Sequence, residues 1–253
     1  MSKILISSNP DFKREKPAGD DWLNVSELFS NTIQGEGIST GVPATFLRLQ
    51  HCTLSCTWCD TTSVWKHGNP YSYNEIFELF SKNGIIEKFR EGQHLVLTGG
   101  SPLLQQNKLE DFLEQFHTKY GFLPFIEVEN ECMIKPTLLM SRLVNQWNNS
   151  PKTSNSGMKQ KLRHKPDIIR YMSILPNSTF KFVINSMDDW NEILEEFFFT
   201  GLIQLSQIIL MPCGENQEQL NQTRSFVSDL ACEHNVRYSD RLHIVIWDKK
   251  TGV

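Results

Sequence analysis

The chain has 253 residues, 39% hydrophobic and 21% charged, with a formal net charge of −4 at pH 7. That length suits one large domain with a substantial core, and no apolar run approaches the roughly 20 residues that cross a bilayer, which argues against a membrane protein. The acidic balance gives no general electrostatic reason to bind nucleic acid, whose first sign is a clustered basic face, so the expected substrate is a small molecule.

Residues 1–22 are expected to form an N-terminal arm: Pro10, Lys13, Arg14, Lys16, Pro17 and Gly19 fall without periodicity, and no signal-peptide core precedes them. Residues 23–253 are expected to form one domain. Leu23 to Phe29 and Pro43 to Leu49 are predicted strands, joined through Gln34-Gly35-Glu36-Gly37. On local grounds those glycines mark either a plain turn or a close approach of backbone to a ligand. Tyr73 to Phe89 has apolar residues near helical spacing, with Ser72 or Asn74 as cap and Gly84 a possible break. The strand His94 to Thr98 runs straight into Gly99-Gly100-Ser101-Pro102 and a helix to about Phe116, and Phe122 to Glu129 is the next strand, ending in Glu129-Asn130-Glu131. A helix around Pro136 to Val144 follows. The basic, polar segment 153–166 is expected to be a solvated flexible loop. Phe180 to Ile184 and Gln207 to Leu210 are strands, Asp188 to Phe198 and Gln217 to Glu233 helices, and Leu242 to Trp247 the closing strand. Strand-then-helix alternation with glycine turns at strand ends predicts a parallel α/β architecture.

Cys52, Cys56 and Cys59 stand three and then two residues apart on the loop that leaves the Pro43 to Leu49 strand. Three thiolates hold an iron–sulfur cluster with one iron open to chemistry, whereas a structural zinc site closes with four ligands, for which His51 or His67 would be available. Cys132, Cys213 and Cys232 are scattered and make no disulfide framework, which fits a reducing, cytoplasmic compartment.

With Trp58 directly before the third cysteine, this spacing resembles the radical S-adenosylmethionine superfamily. The flanking runs Thr32-Ile33-Gln34-Gly35-Glu36-Gly37, Phe46-Leu47-Arg48 and Trp58-Cys59-Asp60-Thr61 resemble, within it, the 7-carboxy-7-deazaguanine synthase family. The resemblance implies a partial (β/α)6 barrel of the radical S-adenosylmethionine type, with a [4Fe-4S] cluster on Cys52, Cys56 and Cys59. The open iron there chelates S-adenosylmethionine, which is cleaved to a 5′-deoxyadenosyl radical. It further implies that the radical takes hydrogen from C6 of 6-carboxy-5,6,7,8-tetrahydropterin, and that the ring contracts to 7-carboxy-7-deazaguanine with loss of ammonia, in the 7-deazapurine (queuosine) pathway.

By the same resemblance, Trp58, Asp60, Gly99, Gly100, Ser101, Glu129, Ser150, Lys152, Met211 and Gly214 bind the cofactor. The family's Gly-Gly-Glu-Pro turn carries Ser101 in place of its glutamate here, which removes that acidic contribution. Ile33, Gln34, Gly35, Glu36, Arg48, Thr98, His243 and the terminal carboxylate of Val253 meet the pterin. Amide and carboxylate groups suit the ring's hydrogen-bonding edge, and a guanidinium suits its carboxylate. Thr61 is implied as a ligand of Mg²⁺; read locally it is as well placed to be a helix N-cap. No protein side chain is assigned a catalytic role, because the radical arises on the bound cofactor. A flavodoxin- or ferredoxin-like electron donor and a homodimer complete the expectation. A glycyl-radical activase would share the cysteines without the pterin contacts, and a zinc module would share them without a reducible cluster.

Overall fold

The structure, a computed structural model, describes residues 3–252. One ten-stranded sheet organises it: β1 (Lys3–Ile6), β2 (Trp22–Ile33), β3 (Pro43–Leu49), β4 (Asn69–Ser72), β5 (His94–Gly99), β6 (Phe125–Asn130), β7 (Gln146–Asn149), β8 (Ser178–Ile184), β9 (Ile208–Pro212) and β10 (Arg237–Tyr238). The spatial order is β1-β2-β3-β5-β6-β7-β8-β9-β10, with β4 paired to β2. From β3 onward that path is parallel, and β1, β2 and β4 are antiparallel additions at one end. The sheet is open, as a partial barrel requires.

Strand periodicity decides which side chains meet which medium, since successive residues point to opposite faces. Leu47 and Leu49 of β3, Leu95 and Leu97 of β5, Ile126 and Val128 of β6, Phe180, Phe182 and Ile184 of β8, and Ile208 and Leu210 of β9 join the main apolar core. Helices Tyr73–Lys82 and Gln106–Tyr120 feed that core with Phe77, Phe80, Phe112 and Phe116, whose rings meet mostly edge to face. The alternate positions, among them Arg48, Thr98, Glu129, Lys181 and Met211, line a cavity on the other face. A sheet with one apolar face and one charged face thus separates stability from chemistry.

Local signals hold at the helix starts. Ser72 closes a capping box with Glu75 and Ser186 one with Asp189, while Asn216 caps Gln217–Glu233. Gly84, at φ 66°, divides the predicted Tyr73 to Phe89 helix in two.

Four expectations are corrected. Part of the N-terminal arm is ordered strand, for Lys3–Ile6 pairs antiparallel with β2. The segment 153–166 is only partly a solvated loop: Lys159 and Lys161 are exposed, but Ser154–Ser156 and Gln160–Arg163 are short helices, and Arg163 is 3% exposed and binds Glu192 and Glu196 as well as the carbonyl of Lys152. Gln146–Asn149 and Pro166–Ser173 form a strand and a helix that the sequence did not announce. Leu242–Trp247 is a short helix rather than the closing strand, a place taken by β10. Its apolar, β-branched residues favour a strand, but Arg241 turns the chain back over the cavity, where the Leu242 amide donates to the Gly35 carbonyl at 2.8 Å.

Candidate active site

A cavity of about 450 Å³ opens among the loops that leave the parallel strands, where open α/β sheets bind ligands. It is bordered by Ile33, Gln34, Gly35, Glu36, Arg48, Cys52, Cys56, Trp58, Cys59, Asp60, Thr61, Thr98, Gly99, Gly100, Glu129, Ser150, Lys152, Met211 and His243, so nearly all the residues singled out in the sequence are gathered in one place. Ser101 stands behind the wall, and Gly214 uses its carbonyl to accept from Arg241 at 2.5 Å. Val253 lies outside the described residues, though Lys250, Thr251 and Gly252 reach the cavity rim.

The cysteine loop is held from two sides. Ser101 donates its backbone N–H to the His51 carbonyl at 2.8 Å, and its hydroxyl accepts from the Thr53 amide at 2.9 Å. From the other side, Thr57 N–H reaches the Ser156 carbonyl at 3.0 Å, and the Trp58 indole donates to Asn155 at 3.1 Å. Gly100 is obligatory here, because a Cβ at that position would lie 2.3 Å from Cβ of Cys52 and 2.5 Å from the His51 carbonyl oxygen.

All three cysteines are free and partly buried. Their sulfurs are provided with donors: Leu54 N–H and the Ser101 hydroxyl approach Cys52 at 3.4 and 3.6 Å, and the Trp65 indole approaches Cys59 at 3.5 Å. Burial works against ionisation of Cys59, but bonds from Thr62 and Trp65 outweigh it and lower its thiol; burial raises Cys52 and Cys56. Donors aimed at sulfur are what cluster thiolates use. Three free, partly buried cysteines on one loop, with N–H and O–H groups directed at two of their sulfurs, are the donor set that an iron–sulfur cluster takes.

Thr61 sits at the N-cap position of a one-turn helix, Thr62–Trp65, yet its side chain makes no capping bond. Its hydroxyl lies 3.8 Å from the Cys59 sulfur, and the residue borders the cavity.

The opposite wall is a chain of charges in which Lys181 and Arg241 are buried and their carboxylate partners are half-buried or face the open cavity. Lys181 pairs with Glu36 at 2.5 Å and Glu129 at 2.6 Å; Arg241 pairs with Glu36 at 3.1 Å and with Asp60. Burial alone would raise Glu36, but Lys181, Arg241 and His243 overcome it and hold the carboxyl far below the usual range. Glu129, half-buried beside Glu36, is raised by desolvation despite Lys181. Gln34 is oriented by Glu127 and Glu129, to which its amide nitrogen donates at 3.3 and 3.1 Å. Arg48 Nε donates to Glu27 at 3.1 Å, and the Phe29 and Phe46 rings stack at 4.9 Å beside it. His243 packs against Gly35, where a Cβ would lie 2.4 Å from its ring.

Sequence reasoning missed Lys181, Arg241 and Glu27. Lys181 was findable, since a charged residue between Phe180 and Phe182 must face away from the core they enter. Arg241 carried no local signal.

Known proteins resemble the chain in sequence and in fold. Residues 33–128 match the family described as a 4Fe-4S single cluster domain. The chain is 32% identical over 232 residues to the 7-carboxy-7-deazaguanine synthase of Pyrobaculum aerophilum, covering 91% of this chain and 97% of the relative. It is 25% identical over 260 residues to that of Halobacterium salinarum, covering 96% and 97%. The crystal structure of QueE from Escherichia coli shares the fold, with a TM-score of 0.62 at 21% identity over 88% of this chain and 95% of that one. By sequence over nearly its whole length, the chain belongs to the 7-carboxy-7-deazaguanine synthase family of radical S-adenosylmethionine enzymes.

Proposed function

We infer that the protein is a radical S-adenosylmethionine lyase that converts 6-carboxy-5,6,7,8-tetrahydropterin to 7-carboxy-7-deazaguanine with release of ammonia, within 7-deazapurine biosynthesis. The observation that carries this reading is the shared cavity: in a chain of this family, the three cysteines, the Gly99–Gly100 turn and the Gln34, Glu36 and Arg48 side chains border one space. Cys52, Cys56 and Cys59 would hold the cluster, and Gly99, Gly100, Ser150, Lys152 and Met211 would hold S-adenosylmethionine beside it. Together, when bound, these groups supply a one-electron reduction and a hydrogen-abstracting carbon radical.

The protein's own residues bind, orient and shield. Arg48 is fixed through Nε by Glu27, and among the described residues its two terminal nitrogens have no partner, a fork suited to the pterin carboxylate. Gln34, locked by Glu127 and Glu129, and Glu36, kept ionised by Lys181 and Arg241, present a polar edge to the ring. Thr98 and His243 border the same space, and Phe29 and Phe46 provide its apolar floor. Thr61 offers a hard oxygen for Mg²⁺, which prefers few protein ligands and retained waters. A small one-electron donor protein of the flavodoxin or ferredoxin type and a homodimeric assembly belong to the same reading, supported by the family resemblance. Among the described residues no helix is long and apolar enough to cross a membrane.

Substrate deuterated at C6 tests the reading after anaerobic reconstitution. Label should enter 5′-deoxyadenosine and return to product. Cleavage of S-adenosylmethionine that ignores the pterin and picks up no label would overturn it.

A further inference from the structure

Four carboxylates on or beside the cavity wall have a cationic side chain against them: Glu27 has Arg48, Glu36 has Lys181 and Arg241, Glu129 has Lys181, and Asp60 has Arg241. Glu131, which lines the same cavity, has none of these partners. It is 6% exposed; Oε1 accepts from the Thr53 hydroxyl at 3.0 Å, while Oε2 is shielded from water and accepts no hydrogen bond among the described residues. Lys152, a cavity residue that could have served, directs its ammonium to the Ser150 hydroxyl at 2.7 Å. A buried carboxylate oxygen without a donor is costly, and a cation brought in by a ligand removes the cost.

The local structure holds Glu131 in place. It follows β6 directly, and the next residue, Cys132, takes the left-handed φ of 61°. The turn is pinned by Cys132 N–H to Asn130 Oδ1 at 3.2 Å and by Asn130 to Asn149 at 2.8 Å. Through Thr53, Glu131 is linked to Ser101, which stands 3.1 Å from the Thr53 hydroxyl and 3.6 Å from the Cys52 sulfur. The orphaned oxygen therefore belongs to the cluster end of the cavity.

We propose that Glu131 is a cofactor-binding residue that accepts a hydrogen bond from the α-ammonium of S-adenosylmethionine, supplying from the end of β6 the acidic group that the Gly99-Gly100-Ser101 turn lacks. The proposal rests on the reading of the protein as a radical S-adenosylmethionine enzyme.

Equilibrium binding to the reconstituted enzyme tests it with two probes. S-adenosylmethionine carries both ammonium and sulfonium charges, and S-adenosylhomocysteine keeps only the ammonium. Glu131→Gln should retain the iron of the parent protein and weaken both probes about ten- to a hundredfold, the usual range for a charge-assisted hydrogen bond, with pterin affinity unchanged. Unaltered affinity for both probes, or loss for S-adenosylmethionine alone, overturns the assignment. Should Glu131→Gln lose iron, Glu131→Asp retains the charge one methylene short, and must weaken both probes severalfold with iron intact; unchanged binding again overturns the assignment. Failure of the parent protein to bind either probe would instead count against the proposed function.

Discussion

Arg241 Nε donates to Glu36 Oε1 at 3.1 Å across 205 residues of sequence. The same guanidinium also binds Asp60 and the Gly214 carbonyl, so one side chain ties together the loop after β2, the end of the cysteine loop and the loop after β9. Arg241→Gln should destabilise the fold by about 3–5 kcal/mol, the range for removing one partner of a buried ion pair. Arg241→Lys should restore part of this, since charge returns without the fork. Chemical denaturation of the two variants measures the difference; equal stability of wild type and Arg241→Gln would remove the clamp.

Glu36 sets an acid limit on stability. Its folded carboxyl titrates below the unfolded value, so its contribution is complete above the unfolded range of about 4.3 and is lost as pH falls toward the folded value. The stability gap between wild type and Glu36→Gln should therefore be widest near neutrality and shrink below about pH 4.3. A gap that stays constant from neutral to strongly acid solution would mean that Glu36 is not held ionised by Lys181 and Arg241.

These charges also mark how far the sequence could be read. Core strands were legible because Leu95-Val96-Leu97 and Phe180 to Ile184 are short, mostly apolar runs, and two helix starts because Ser72 and Ser186 stand at their caps. The cysteines, glycine turn, Gln34, Glu36 and Arg48 were legible from short motifs. Arg241 and Arg163 were not, since each acts through partners far along the chain. The helix at Leu242–Trp247 was misread because tertiary contacts at Arg241 and Gly35 override its strand-like composition.

Arg163 supports the cofactor side from outside the cavity. It binds Glu192, Glu196 and the carbonyl of Lys152 while almost fully buried. Arg163→Met should leave two carboxylates without their cation, lower stability by roughly 3 kcal/mol or more, and loosen Lys152 enough to raise the Kd for S-adenosylmethionine several-fold. Thermal unfolding and equilibrium binding read the two effects; a stable variant with unchanged affinity would contradict both.

Gly100→Ala should expel the cysteine loop from its seat, because the added methyl cannot share space with Cys52 and the His51 carbonyl. Iron per chain after reconstitution should fall nearly as far as in Cys52→Ala, Cys56→Ala or Cys59→Ala. Replacing Cys132, Cys213 and Cys232 should leave iron content unchanged. Full iron loading of Gly100→Ala would show that the loop yields without cost.

The central claim is that this cavity brings a cluster-bound S-adenosylmethionine to a carboxytetrahydropterin. Anaerobically reconstituted, reduced protein given 6-carboxy-5,6,7,8-tetrahydropterin and S-adenosylmethionine should form 7-carboxy-7-deazaguanine and ammonia in equal amounts, with no product when the cluster cysteines are replaced. A protein that holds its full cluster and cleaves S-adenosylmethionine, yet leaves the pterin unchanged, would contradict the account.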